Sequence, residues 1–345
     1  MRRAAAVIAG ATLPILTRLD PELAHDLGLV GLKWMRPLWP TRSFPAEMSV
    51  DCLGLRFAHP VGLAAGFDKN GDYLDALGAI GFSHIELGTV TPRPQAGNPK
   101  PRMFRIPGDL ALINRMGFNN KGVDHLINRL SSGRYRGIRG VSIGKNFDTP
   151  IENAQDDYVA CLRKVYPHAD YVAVNVSSPN TVRLRELQDR DGLQRILGAL
   201  LDERVTLQAR HGKRVPLLVK VAPDLNEAQI SALAQQLRAL QLDGVIATNT
   251  SSDLTVLGKP PAAAQGGLSG APLHRLSVKV ISQLRAALGA GFPIIGVGGI
   301  VSADKARESL RAGANLLQVY TGFAYRGADL LDEMLRGISR LTDKA

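Results

Sequence analysis

The chain has 345 residues, 45% of them hydrophobic and 35 of them glycine, a composition that supplies a large core and excludes a disordered chain. Lys and Arg outnumber Asp and Glu by 42 to 31, a net charge of +11 that suits nucleic acid, anionic lipid, anionic substrates or a plain solvated basic surface. Two cysteines, Cys52 and Cys161, without C-x-x-C spacing exclude a disulfide framework and a structural zinc site, and seven histidines without helical ligand spacing give no metal site.

Met1-Arg2-Arg3 precedes an apolar run from Ala4 to Leu16. That run falls short of the roughly 20 residues that cross a bilayer, and no small-x-small cleavage site follows it. A second helix is predicted from Pro21 to Trp39, with Leu23, Leu27, Val30, Trp34 and Leu38 spaced by three and four along one face. Two short apolar helices with cationic ends suit either an interfacial hairpin lying on a membrane or a helical cap packed on the rest of the protein. Residues 1–42 are taken as this N-terminal segment and 43–345 as the main domain.

From residue 60 onward, apolar β-rich runs alternate with amphipathic helices. The strands are expected at Val61–Ala65, His84–Thr89, Gly140–Gly144, Tyr171–Val176, Leu217–Val221, Gly244–Thr248, Ile294–Val297 and Leu316–Tyr320. The helices are expected at Tyr73–Ile80, Lys121–Arg129, Asn153–Val165, Leu193–Gln208, Glu227–Leu240, Leu273–Leu288, Ser302–Ala312 and Leu330–Leu341. Strands apolar on both faces belong to a buried parallel sheet. Eight regular units, and no G-x-G-x-x-G after the first strand, favour an α/β fold closed as a (β/α)8 TIM barrel over an open doubly wound sheet. Two loops break the rhythm, a proline-rich one over 90–120 and a Gly/Pro/Ala-rich one over 250–272. Both leave the C-terminal face, where such barrels carry their active sites.

The strand ends are polar: Lys69 after the first, Thr89 in the second, Lys145-Asn146 after the third, Asn175 to Asn180 after the fourth, Lys220 in the fifth, and Thr248-Asn249-Thr250 after the sixth. Their convergence on one rim exceeds ordinary loop capping. Gly296-Val297-Gly298-Gly299-Ile300, Tyr320-Thr321-Gly322 and Gly270 supply the backbone N–H groups of a barrel phosphate site. Asn114, Asn175, Asn180 and Asn249 offer paired donors and acceptors for a small planar molecule with alternating C=O and N–H groups, and lysines can hold its carboxylate. The residues thus read as a flavin-dependent redox enzyme centred on Asn175-Val176-Ser177-Ser178-Pro179-Asn180. No carboxylate pair or Ser-His-Asp spacing speaks for hydrolysis.

Over essentially its whole length the chain resembles the class 2, quinone-dependent dihydroorotate dehydrogenases. The resemblance is carried by A-A-G-F-D-K (64–69), E-L-G-T-V-T-P-R-P-Q (86–95), N-R-M-G-F-N-N (114–120), N-V-S-S-P-N-T (175–181), A-T-N-T (247–250), G-G-L-S-G (266–270) and G-V-G-G-I (296–300). It implies that Lys69, Asn114, Arg115, Met116, Gly117, Phe118, Asn175, Asn180, Asn249 and Thr250 contact dihydroorotate or orotate. It implies that Ala65, Gly66, Lys69, Thr89, Asn175, Lys220, Thr248, Gly270, Gly299, Tyr320 and Thr321 hold one FMN. Ser178 is the implied base for the C5 proton, Phe118 and Thr181 match positions around the proton's exit, and His25 and Arg105 match positions near a quinone tunnel. A serine at 178, where class 1 enzymes use cysteine, places the chain in class 2. One departure stands out: Ser142, in Ser142-Ile143-Gly144-Lys145-Asn146, replaces a family asparagine that contacts flavin, so a weaker or altered contact is expected there.

The implied partners are dihydroorotate, a membrane quinone and a lipid surface, with no nucleic acid, for a monomer at the cytoplasmic face of a bacterial inner membrane. Two other readings compete. A flavin barrel acting on RNA, such as a tRNA dihydrouridine synthase, suits the charge, but the loops lack its nucleophilic cysteine and the chain lacks its RNA-binding domain. A non-catalytic membrane-attached binding protein is opposed by the Lys69, Ser178 and Lys220 set.

Overall fold

The computed structural model describes residues 16, 18–39, 42–180, 184, 190–257 and 264–342. Strand β1 (Val50–Cys52) pairs antiparallel with β2 (Leu55–Phe57), a hairpin not among the expected elements. Cys52 and Phe57 of this hairpin pack on Leu218, Ile246, Ile295 and Leu316, so it plugs the N-terminal end of the barrel.

The eight expected strands form β3 (Val61–Leu63), β4 (His84–Val90), β7 (Ile138–Ile143), β8 (Tyr171–Asn175), β9 (Leu217–Val221), β10 (Gly244–Ala247), β12 (Ile294–Val297) and β13 (Leu316–Val319). They close in that order, with β13 pairing back onto β3. Several strands stop a residue or two short of the expected ends. Ala64-Ala65, Thr248 and Tyr320 turn away over the rim instead of pairing, which is what frees them to line a site. The outer layer comprises α2 (Leu74–Ile80), α3 (Val123–Ser132), α4 (Ala154–Val165), α5 (Arg190–His211), α6 (Glu227–Ala239), α7 (His274–Leu288), α8 (Ala303–Arg311) and α10 (Ala328–Thr342). A short helix, α9 (Thr321–Arg326), was not expected and follows β13 directly.

The two long loops are more ordered than expected. β5 (Met103–Ile106), β6 (Ala111–Asn114) and β11 (Gly267–Gly270) form an antiparallel sheet in the order β11-β6-β5. Ala111, Ile113 and Leu268 bury the face turned away from the barrel with Leu257 and Ala264, while Leu112, Asn114 and Ser269 face the rim. This sheet belongs to the segments that leave the C-terminal rim and so covers it.

Before the barrel runs α1 (Pro21–Met35), capped by Asp20, whose Oδ1 accepts from the Glu22 and Leu23 amides at 3.0 Å. Ala24 and Leu29 face the protein, while Leu23, Leu27 and Val30 lie exposed and Trp34 is 81% exposed. The first half of the anticipated helical pair, Ala4 to Leu16, lies outside the described residues except for Leu16. Among the described residues no helix is long and apolar enough to cross a membrane.

Candidate active site

Barrel register assembles the rim. Asn175 at the end of β8 pairs with Lys220 of β9, so a neutral amide and an ammonium stand side by side where the ladder stops. Around them opens a cavity of about 150 Å³. Its lining brings together Ala65, Gly66 and Lys69 after β3, Thr89, Asn175, Ser178 and Asn180 from β8 and its turn, Lys220, and Thr248 to Thr250 after β10. Gly270, Gly299, Tyr320 and Thr321 close one end, and Asn114, Met116, Gly117 and Phe118 descend from the covering sheet. Arg115 is the exception among the expected residues. Its guanidinium turns outward and donates to the Pro101 carbonyl at 2.9 and 3.2 Å. Neighbours on an extended backbone point to opposite sides, so a contiguous motif cannot send every side chain inward.

The polar groups are held by one another. Asn175 Nδ2 donates to Thr89 Oγ1 at 2.8 Å, and Asn249 Nδ2 donates to Asn175 Oδ1 at 3.3 Å and to Ser177 Oγ at 3.0 Å. Asn180 Nδ2 donates to Asn114 Oδ1 at 3.3 Å. Ser178 is buried, and its Oγ accepts from the Asn180 amide at 3.3 Å. Ser142 is fully buried behind this layer. Its hydroxyl engages Thr89 Oγ1 at 2.9 Å and reaches the cavity only through that threonine.

Asp68 fixes the turn bearing Lys69 by accepting from the Asp72 and Tyr73 amides at 3.1 and 2.8 Å. Lys69 is only partly covered, yet the protein packed around it drives its ammonium down to about 8 against the opposing attraction of Glu22.

Beneath the cavity lies a charged floor that is not among the residues expected from the sequence. Glu86 is fully buried, 3.3 Å from Lys220 Nζ, and accepts from Gln318 Nε2 at 2.8 Å and the Tyr171 hydroxyl at 3.1 Å. Burial first, and then the Glu86 charge, push the Tyr171 phenol far above its usual range. The Gln318 amide oxygen is buried with no partner among the described residues, and Gln318 lines the cavity. A carboxylate within the apolar run Ile85-Glu86-Leu87 was the available signal.

The donor set suits a phosphate-bearing ring cofactor. At one end, Gly298 (φ 122°) and Gly299 (φ 68°) turn through backbone that other residues rarely adopt, and a side chain on Gly299 would land 2.4 Å from the His274 amide nitrogen. At the other end stand Lys220, Asn175, Thr248 and the orphaned Gln318 oxygen between the apolar Ala64 and Val319.

A second cavity of about 500 Å³ separates α1 from the barrel and is lined by Ala24, His25, Leu32, Phe67, Arg105 and Phe323 among others. Met103, Leu112 and Tyr320 line both cavities. His25 Nε2 donates to the Phe67 carbonyl at 2.8 Å, and burial lowers its imidazole to about 4, so the ring is neutral at physiological pH. Arg105 Nη1 donates to the Leu19 carbonyl at 3.1 Å. A nearly buried ion pair, also unforeseen, pins α1 in place: Arg102 donates to Glu22 at 2.7 and 3.1 Å and to the Ala96 and Asn98 carbonyls.

The family profile described as dihydroorotate dehydrogenase matches residues 47–341. The dihydroorotate dehydrogenase (quinone) of Alkalilimnicola ehrlichii is 52% identical over 331 residues, covering 94% of this chain and 97% of the relative. The protein of the same name from Stenotrophomonas maltophilia strain R551-3 is 53% identical over 334 residues, covering 95% of each. A crystal structure of DHODH in complex with ferulenol from Eimeria tenella superposes with a TM-score of 0.84 at 37% identity, covering 94% of this chain and 92% of that one. On sequence and architecture together, the chain belongs to the dihydroorotate dehydrogenase family.

Proposed function

We propose that the chain oxidises dihydroorotate to orotate with FMN as its cofactor and a membrane quinone as acceptor, the class 2 reaction of pyrimidine biosynthesis. The observation that carries this reading is the pairing of two cavities. One is polar, with Ser178, Lys69 and four asparagines on it. The other is largely apolar and lies under α1, and the two meet at Met103, Leu112 and Tyr320.

In this reading the amides of Asn114, Asn175, Asn180 and Asn249, with Thr250, match the ring's alternating donors and acceptors, while Lys69 takes the carboxylate. Met116, Gly117 and Phe118 close over it. Ser178 Oγ takes the C5 proton as its own hydroxyl proton leaves toward the exit that the resemblance places at Phe118 and Thr181, and its buried position keeps bulk water from the reacting carbon. When bound, FMN would supply the two-electron chemistry that takes the hydride from C6 and passes the electrons on to quinone. Ala65, Gly66, Thr89, Asn175, Lys220 and Thr248 would hold its ring, and Gly270, Gly299, Tyr320 and Thr321 its phosphate end. Lys220 puts a fixed positive charge where electron density gathers. His25 and Arg105 would flank the quinone in the second cavity. Thr181 lies outside the described residues.

Residues 1–42 would form the membrane and quinone-access segment and 43–345 the FMN barrel, a monomer peripheral to the cytoplasmic face of a bacterial inner membrane. The test is dihydroorotate-dependent reduction of a soluble quinone. Turnover with fumarate or NAD but not quinone would overturn the class 2 assignment.

A further inference from the structure

Behind the rim, one side chain joins two segments of the site. Asn98 Nδ2 donates to the Arg115 carbonyl at 2.8 Å and to the Asn180 carbonyl at 3.2 Å, so two acceptors fix the orientation of its amide. Its backbone amide donates to the Met116 carbonyl at 3.1 Å, and its own carbonyl accepts from Arg102 at 2.9 Å. Gly117 (φ 71°) makes room for this approach, since a side chain there would come within 2.8 Å of the Asn98 amide. Asn98 does not line the cavity, but Asn180 does. Because the Asn180 amide donates to Ser178 Oγ, two hydrogen bonds lead from Asn98 to the serine oxygen.

We propose that Asn98 is a positioning residue for the proton transfer. It staples the 175–180 turn to the 114–118 segment and so sets where Ser178 Oγ stands relative to the bound ring. The inference rests on the functional reading above. The other bridge between these segments, Asn180 to Asn114, is made by side chains that face the cavity, so substrate competes for them. The Asn98 bonds lie outside the cavity and escape that competition.

Asn98→Ala and Asn98→Asp test it. On anaerobic rapid mixing with dihydroorotate, Asn98→Ala is expected to reduce its flavin roughly tenfold to a hundredfold more slowly, the scale of a misplaced reacting group, while flavin content and orotate affinity are kept. In Asn98→Asp the introduced carboxyl has no donor for the two carbonyls when ionised and one when protonated. The ratio of the Asn98→Asp rate to the parent rate should therefore fall as pH rises from about 5 to 8, which a purely structural role would not produce. Amide exchange across 175–180 should quicken in Asn98→Ala while that of β8 stays slow. A rate within about twofold of the parent, a ratio flat with pH, or unchanged exchange at 175–180 would each overturn the proposal. If the parent itself is not reduced by dihydroorotate, the functional reading fails, and the exchange comparison still decides whether Asn98 holds the turn.

Discussion

In the reaction proposed above, Ser178 and Lys69 divide the work at the scale of single residues. A serine hydroxyl is a weak base, and what this site offers it is burial and a fixed donor from the Asn180 amide. Ser178→Ala is expected to slow flavin reduction by about 10²- to 10⁴-fold with FMN still bound, measured by stopped-flow bleaching; an unchanged rate would remove Ser178 as the base. In the same proposal Lys69 carries the pH dependence of binding. With its ammonium lowered to about 8, it is charged below that pH and neutral above it. Orotate affinity should hold steady below pH 8 and weaken above it by up to about tenfold per unit, as a titration of the flavin spectrum would register. Affinity constant to pH 10 would place the carboxylate elsewhere. Most rim residues are legible in the sequence because each closes an apolar strand with a polar group. Glu86 and Gln318 show only as single polar residues inside apolar runs, because residues that point into a barrel interior leave no surface periodicity. Arg115 reads inward with its motif, and only the backbone shows it turned to Pro101.

Among the elements, the barrel strands are legible to within one or two residues, since unbroken apolar runs have few other uses. The sheet of β5, β6 and β11 is not. Its strands are four residues each, and although β5 and β6 form a local hairpin, β11 joins them across some 150 positions, Asn114 with Gly267, so no local pattern announces the sheet. Helix α1 is legible as amphipathic, but its attachment is hidden, because the Glu22–Arg102 pair also joins residues far apart in sequence. Burial acts to raise the Glu22 carboxyl, but Arg102 and Lys100 prevail and hold it below the ordinary range. The pair therefore contributes stability above the usual carboxylate pKa and loses it as pH falls through the lowered one. Glu22→Ala leaves Arg102 without its carboxylate while keeping the Arg102 bonds to the Ala96 and Asn98 carbonyls, and is expected to cost about 3–5 kcal/mol, felt first as detachment of α1 rather than as barrel unfolding. Because α1 walls the second cavity, quinone turnover should fall more than flavin reduction by dihydroorotate. Equal losses in the two half-reactions would show that α1 does not shape the quinone path.

For the whole molecule, one asymmetry connects charge to place. The barrel buries its apolar strands, yet α1 leaves Leu23, Leu27, Val30 and Trp34 exposed along one face, with Lys33 and Arg36 exposed at its C-terminal end. An apolar stripe bordered by cations is the pattern of a helix lying at a lipid interface, and the net charge of +11 favours an anionic one. That orientation would bring the second cavity, which α1 itself walls, to the membrane surface, so quinone could enter without crossing water. Binding to vesicles containing anionic lipid should thus exceed binding to zwitterionic ones and weaken with salt, because the electrostatic part is screened over roughly 10 Å at 0.1 M. Trp34, 81% exposed, should supply much of the apolar part. Trp34→Ala is expected to weaken vesicle partitioning by about 1.5–3 kcal/mol, roughly tenfold to a hundredfold, in sedimentation assays. Its reduction by dihydroorotate should be unaffected, because Trp34 lines the second cavity and not the first. Partitioning that survives the substitution at high salt would mean that the exposed face of α1 is not what meets lipid, and the route by which quinone enters would have to be sought on another side of the barrel.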